Sequence, residues 1–546
     1  MTVTSRVLAR AAKLRPAHSA EVVVERDVEA KMADGAILLA DRWYSPANVT
    51  AAPIVLIRSP YGRRQLGLLG RLFAERGYQA VIQSVRGTFG SEGRFEPFHH
   101  EREDGRATLD WLAGEPWFTG EIGTFGPSYL GMTQWAIVAD APEHVRAMAM
   151  QVTAANVRDA VVFPGGSFSL QTGGFWVHQM EFQEKGLGRY LWAMATGHRR
   201  LAPVYETLPL RDADTAALGH PVPYYQEWLV HEAPGDPWWR PIDFSHDDVA
   251  ETPPSSHVGG WFDLFLPSQI DDYCRLRDAG REARLTVGPW THAGPGAGAA
   301  GMRDALEWFD IHLRGVPDRS GRERVRLFVM GADRWVGFAD WPPPATPQRW
   351  YLHPEGVLST DEPGDAAADR YRYDPADPAP SLGGATLDPM LAGSKNQRKR
   401  EQRPDVLVYT TAPLINDVTV VGPVESEVWV RSSRPFFDVF VRLCDVDPSG
   451  KSRNISDGIL RVDGRSTPPS GEGISHVKIK MWPTALTFKA GHRVRVQISS
   501  SAHPLFARNT GSGEPLATAT TMFPSESELF HDRVHPSAIT LPVSAL

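Results

Sequence analysis

From Pro53 to Ala139 the chain alternates two kinds of segment, and this alternation restricts its fold more than any other feature. Short apolar runs stand at Pro53 to Arg58 (PIVLIR), Gln79 to Ser84 (QAVIQS) and Glu121 to Phe125 (EIGTF). Arg64 to Arg76, Asp104 to Leu112 and Tyr129 to Ala139 instead carry apolar residues at helical spacing. A short continuous apolar run fits a strand buried on both faces, and a helical crossover between two such strands makes them parallel. The rhythm returns at Ser255 to Gly260, Pro267 to Asp278, Ala283 to Pro289 and Met302 to Leu313. A mostly parallel sheet covered by helices is therefore expected.

Two stretches break the rhythm. Residues 154–244 are rich in aromatics and show helical patterns with few strand signals, so they read as a helical insertion over the sheet. Beyond about Asp340, short alternating runs appear at Glu427 to Arg431, Asp438 to Leu443, His476 to Trp482 and Arg493 to Ile498. Turn-forming residues separate them, as in an antiparallel sandwich or jelly roll. Pro342-Pro343-Pro344 marks a boundary, and the charge run Ser394 to Arg403 reads as a solvated loop. A chain of 546 residues has room for two or three such units.

Composition narrows the function. With 65 acidic against 57 basic residues the net charge is −8, which disfavours nucleic acid as a partner. Only two cysteines are present, Cys274 and Cys444, so neither a disulfide scaffold nor a cysteine-based zinc site is expected. No apolar run is long enough to span a bilayer, and the first twenty residues lack the apolar centre of a secretory signal. The default for that basic terminus is a frayed end. A transit peptide is the alternative, because no acid precedes Glu21.

The chemistry is concentrated at Gly126-Pro127-Ser128-Tyr129-Leu130-Gly131, between the run EIGTF and the helical segment that follows. A serine on a sharp strand-to-helix turn projects its hydroxyl out of the sheet. The first N–H groups of the next helix are then free to bind an oxyanion. The strict G-x-S-x-G form is not kept, since Leu130 holds the second glycine position. A competing serine, Ser167 after Gly165-Gly166, lacks a strand–helix frame. A serine hydroxyl needs a base, and hydrolases built on such sheets supply acid and histidine later in the chain, in that order. Asp263 follows Gly259-Gly260-Trp261-Phe262, and His292 follows Gly288-Pro289-Trp290-Thr291. Both fall at carboxyl ends of expected parallel strands, where open α/β sheets place their sites.

The segments GPSYLGMTQW, GGWFDLF and GPWTHAG, with SPYGR and QSVRGTFGSEGRF upstream, resemble the cocaine-esterase and X-Pro dipeptidyl-peptidase family of α/β-hydrolases. The resemblance runs along nearly the whole chain. It implies an α/β-hydrolase catalytic domain (1–153 and 245–340), a helical cap insertion (154–244) and a C-terminal all-β jelly roll of galactose-binding-like type (341–546). It implies Ser128 as nucleophile, His292 as general base and acid, and Asp263 as its orienting carboxylate. Tyr61, with the backbone N–H of Tyr129, would form the oxyanion hole. No metal or organic cofactor is implied. The partner is a small-molecule ester or amide, with no role for membrane or nucleic acid. A cytoplasmic location is expected, and a homo-oligomer is compatible with the sequence.

Substrate class rests on finer points. Peptidase members of the family carry a large extra N-terminal helical domain, whereas here only about twenty residues precede the first strands. Members that hydrolyse α-amino acid esters place acids two and three positions after the triad Asp to bind an ammonium. Here those positions are Phe265 and Leu266, which cannot neutralise a buried cation. Esters or amides with an apolar or aromatic acyl group are favoured. Trp261, Phe262, Trp290, Phe163, Phe175 and Trp176 are the candidate pocket walls, and core packing is the alternative for each. Arg86 and the glycines Gly87, Gly90 and Gly93 are expected to shape the cleft. The remaining alternatives are a dipeptidyl-peptidase, an α-amino acid ester hydrolase or acylase, and a non-catalytic carbohydrate-binding protein.

Overall fold

Strands with every residue buried form the spine of the N-terminal half. A computed structural model of the chain describes residues 2–47, 49–464 and 472–546. Its first sheet contains β1 (Val23–Lys31), β2 (Ile37–Tyr44), β3 (Ile54–Ser59), β4 (Gln79–Ser84), β5 (Ile122–Pro127), β6 (Val145–Gln151), β7 (Ser255–Phe262), β8 (Ala283–Thr291), β9 (Val325–Val329) and β10 (Arg334–Phe338), in the spatial order β1-β2-β4-β3-β5-β6-β7-β8-β9-β10. The run from β4 to β9 is parallel, and antiparallel pairs close both edges. All residues of β3, β4 and β7 are buried, so their sequences are mainly apolar or small, and buried polar side chains among them are paired inside: Arg58 donates to Gln83 at 3.0 Å and Gln79 accepts Arg42 at 2.9 Å.

Helix α1 (Val3–Ala11) precedes the first strand, and α2 (Gly67–Ala74), α3 (Glu101–Gly114) and α4 (Tyr129–Trp135) link strands of this sheet. Four more, α5 (Leu170–Phe182), α6 (Leu187–Leu201), α7 (Ala213–Leu218) and α8 (Pro223–Val230), lie between β6 and β7. They are followed by α9 (Leu266–Asp278) and α10 (Pro295–Arg314). The helix after Ser128 is shorter than its apolar pattern predicts. It stops at Trp135, and a separate 3₁₀ turn at Val138–Asp140 continues the buried spacing. Among the described residues of the C-terminal part, thirteen strands form a second sheet, paired antiparallel except where Val357–Ser359 meets Val406–Thr410. Its last strand, Ala538–Ser544, bonds to three others and so ties the chain end into the sheet.

Two expectations are corrected. The N-terminus is not frayed: Val3–Ala11 is a helix whose Ser5 is fully buried and donates its hydroxyl to Glu75 at 2.8 Å. Farther along, Arg15 pairs with Asp310 at 2.7 Å. Nor is the charge run at 394–403 a solvated loop throughout. Arg400 is completely buried and donates to Gln497, Ser499 and the Ser501 carbonyl, because the sheet interior offers it a full set of acceptors.

Candidate active site

Four of five consecutive parallel strands, β3, β5, β7 and β8 with β6 between the middle two, deliver the four expected polar groups to one edge of the sheet. Ser128 follows β5, Asp263 follows β7, His292 follows β8 and Tyr61 follows β3. Ser128 has φ 58° and ψ −125°, a conformation that an L-residue holds only under constraint from its surroundings. Here the Ser128 N–H donates to the Gln151 carbonyl at 2.9 Å, and the Ser128 carbonyl accepts the Thr153 hydroxyl at 2.9 Å. Gly126 makes the turn sterically feasible, since a Cβ there would stand 2.2 Å from the Leu130 Cβ.

The imidazole of His292 lies between the serine and the acid. Its Nδ1 is 2.6 Å from Asp263 Oδ2, and its Nε2 is 3.1 Å from Ser128 Oγ. An ionised carboxylate only accepts, so Nδ1 carries the proton and Nε2 presents a lone pair to the serine hydroxyl. Asp263 is wholly buried, and its second oxygen accepts the Phe265 N–H at 2.8 Å. The Tyr61 hydroxyl accepts the Trp176 indole N–H at 3.1 Å, which leaves its own O–H free to donate. Burial pushes the Tyr61 phenol up to about 12, with hydrogen bonds to Trp176 and Ser128 acting in the opposite direction, so it stays a donor at neutral pH.

Tyr129 offers its backbone N–H at the first turn of α4, where no intrahelical acceptor exists. Its side chain points away from Ser128. The phenol donates to Glu101 at 2.7 Å and accepts the Phe98 N–H at 2.9 Å, while Glu101 meets Arg58 at 3.0 Å. The Tyr129 ring stacks on Phe98 at 4.3 Å and 25°.

Beside the serine lies a cavity with about 580 Å³ of unfilled space, its mouth included. Ser128, His292 and Tyr61 are among the residues that line it. Its walls are almost wholly apolar, with Phe98, Met132, Val161, Phe168, Trp228 and Phe265 prominent. Of the six aromatic wall candidates only Trp176 lines it. The other five are corrected. Trp261 turns into the core and donates its indole N–H to the Phe328 carbonyl at 2.7 Å. Phe262 packs toward the second sheet, beside Trp482 and Ile455. Trp290 lies over Gly288 and Gly296 and against Trp335, on the outer side of its loop. Phe163 backs Phe168 from behind, at 5.5 Å, and also meets Trp239. Phe175 precedes Trp176 by about 100° of helix rotation and faces Gly197 on α6 instead.

The competing serine, Ser167, is fully buried, and the His292 ring nitrogen meets Ser128 instead. Arg86 is held by Asp104 and Asp34 and does not reach the cavity. Phe98, farther along the same loop, does. Phe98, Phe168 and Trp228 carry no local signal that distinguishes them from core residues, and only the fold brings them together.

Comparison with known proteins accords with this geometry. Residues 34–294 match the family model of X-Pro dipeptidyl-peptidase (S15 family), and residues 320–538 match that of the X-Pro dipeptidyl-peptidase C-terminal non-catalytic domain. Cocaine esterase from Rhodococcus sp. (strain MB1 Bresler) is 32% identical over 95% of this chain and 98% of its own length. Two solved structures superpose along almost the whole chain and speak for the fold alone. An aminopeptidase from a marine sediment archaeon, Thaumarchaeota archaeon, gives a TM-score of 0.79 at 22% identity, covering 96% of both chains. An α-amino acid ester hydrolase gives 0.78 at 22% identity, covering 97% of this chain and 98% of its own. The chain belongs to the cocaine-esterase and X-Pro dipeptidyl-peptidase (S15) family of α/β-hydrolases, and it is a serine-hydrolase-type enzyme.

Proposed function

We propose that the protein hydrolyses carboxylic esters, and secondarily amides, whose acyl group is apolar or aromatic. Ser128 attacks the carbonyl carbon while His292 Nε2 takes its proton, and Asp263 orients and stabilises the imidazolium. The Tyr61 hydroxyl and the Tyr129 N–H receive the oxyanion. The imidazolium returns its proton to the departing alkoxide, leaving an acyl-enzyme. Water then attacks that ester by the same route and frees Ser128.

The observation that carries the substrate class is the apolar cavity against Ser128. Phe265 forms part of its wall and Leu266 is fully buried, and among the described residues that line the cavity none carries a carboxylate to meet a substrate ammonium. This supports a neutral acyl group over an α-amino acyl group or a peptide N-terminus. We assign 1–153 and 245–340 to the catalytic domain, 154–244 to the cap and 341–546 to the jelly roll. Both cysteines are free thiols, which suits a cytoplasmic location.

The test is a panel of p-nitrophenyl esters beside an Ala-Pro p-nitroanilide and an α-amino acid ester. Aromatic and medium acyl esters are expected to give kcat/KM at least about 10²-fold above the two amine-bearing substrates, the scale at which a missing ammonium partner discriminates. Preference for either amine-bearing substrate would refute the assignment.

A further inference from the structure

The backbone carbonyl of Asp263 receives a side chain from the far part of the chain. Trp482, just past the strand Ser475–Lys480, donates its indole N–H to that oxygen at 2.9 Å. The Leu266 N–H reaches the same oxygen at 3.3 Å. Around it the loop is pinned at each polar atom. The Asp263 N–H donates to the Gly260 carbonyl at 2.9 Å, Oδ1 accepts the Phe265 N–H, and Oδ2 faces His292. With both carboxylate oxygens engaged, the following peptide plane is held by the longer Leu266 bond within the loop and by the shorter Trp482 bond from outside it.

Trp482 is itself held on a stiff support. Its backbone N–H donates to the Asp457 carbonyl at 2.8 Å, and its backbone carbonyl accepts the Ser456 hydroxyl at 2.6 Å. Asp457 is clamped by the fully buried Arg442 through two bonds of 2.7 Å, and Arg442 also donates to the Leu382 carbonyl and to Gln397. The second sheet thus presents one N–H at a fixed place against the loop bearing the acid.

We propose that Trp482 is a positioning residue for catalysis: its indole N–H holds the Asp263 peptide so that the carboxylate keeps its short contact with His292. The inference rests on the Ser128–His292–Asp263 assignment made above. It gives the C-terminal region, whose family description calls it non-catalytic, a direct part in the rate. Displacements well under 1 Å at a reacting group suffice for such an effect.

Two full-length variants test it: Trp482→Phe, and a chain carrying benzothienylalanine at 482, which keeps the bicyclic ring and puts a sulfur that cannot donate in place of the N–H. Each is assayed for kcat and KM on an aromatic ester, and for the rate and final extent of labelling by a fluorophosphonate. Extent counts folded sites, whereas rate reports activation of the serine. In both variants kcat and labelling rate are expected to fall about tenfold, with KM within about twofold and labelling complete. Wild-type kcat and labelling rate in the benzothienylalanine chain would overturn the proposal. So would a labelling extent that falls in step with kcat. Ser128→Ala, run in parallel, separates the two readings: if that variant still turns over ester, the nucleophile assignment fails irrespective of Trp482.

Discussion

At the residue scale, the site depends on one strained serine and one tyrosine. In the proposed mechanism, removing the Tyr61 hydroxyl takes away an oxyanion donor. Tyr61→Phe is therefore expected to lower kcat about 10²-fold, near 3 kcal/mol, with KM little changed, as steady-state kinetics would show. Ser128 sits at φ 58°, where glycine is at ease and alanine is not. Ser128→Gly should accordingly be more stable than Ser128→Ala by about 1 kcal/mol in urea unfolding. Equal stabilities would show that the turn imposes no strain. The polar residues of the site are legible in the sequence because each ends an apolar run, so its position along a strand reports its position in space. The pocket walls are not legible in that way. Trp261 and Trp290 stand beside the acid and the histidine in sequence, yet both turn away, whereas Phe98, Phe168 and Trp228 come from distant segments.

At the element scale, α9 fastens both ends of the excursion between β6 and β7. Asp272 accepts the Ala155 N–H at 2.7 Å where the chain leaves the sheet. Arg275 donates to the carbonyls of Phe244, Ser245 and Asp247 where it returns. Burial raises the Asp272 carboxyl to about 7, against the lowering influence of Arg275 and the Ala155 N–H; Asp271 and Asp243 nearby add to the rise. A carboxyl whose folded value exceeds its unfolded 3.8 costs stability as pH climbs through that interval. The unfolding free energy of Asp272→Asn relative to the parent should therefore increase from about pH 4 to about pH 7 and level off above. A pH-independent difference would contradict the buried, raised carboxyl. The helices α5 to α8 show in the sequence as a loss of strand signals, but their fastening does not. Asp272 and Ala155 lie far apart in the chain, and a mid-helix aspartate carries no mark of a distant N–H partner.

At the scale of the whole molecule, the two sheets share one core. Val325, Leu327 and Val329 from the first belong to the same buried cluster as Trp350, Val420 and Leu486 from the second. The backbone crosses the seam as well, with Met330 N–H to Ala485 carbonyl at 2.9 Å and Thr487 N–H to Met330 carbonyl at 2.8 Å. Calorimetry should accordingly give one cooperative transition for the full chain. Two resolved transitions would mean that the sheets unfold independently. The change from parallel to antiparallel character near Asp340 is plain in the sequence. That the seam is a shared core, with Trp482 reaching the loop of the acid, is not, because such contacts join residues with no pattern in common. What this architecture brings about is the meeting of Ser128, His292 and Asp263. The direct measurement is the mass of the full-length protein and its peptides after reaction with a fluorophosphonate. A single adduct on the peptide carrying Ser128, absent from Ser128→Ala, is the expected result. An adduct on another serine, or undiminished labelling of Ser128→Ala, would contradict the account.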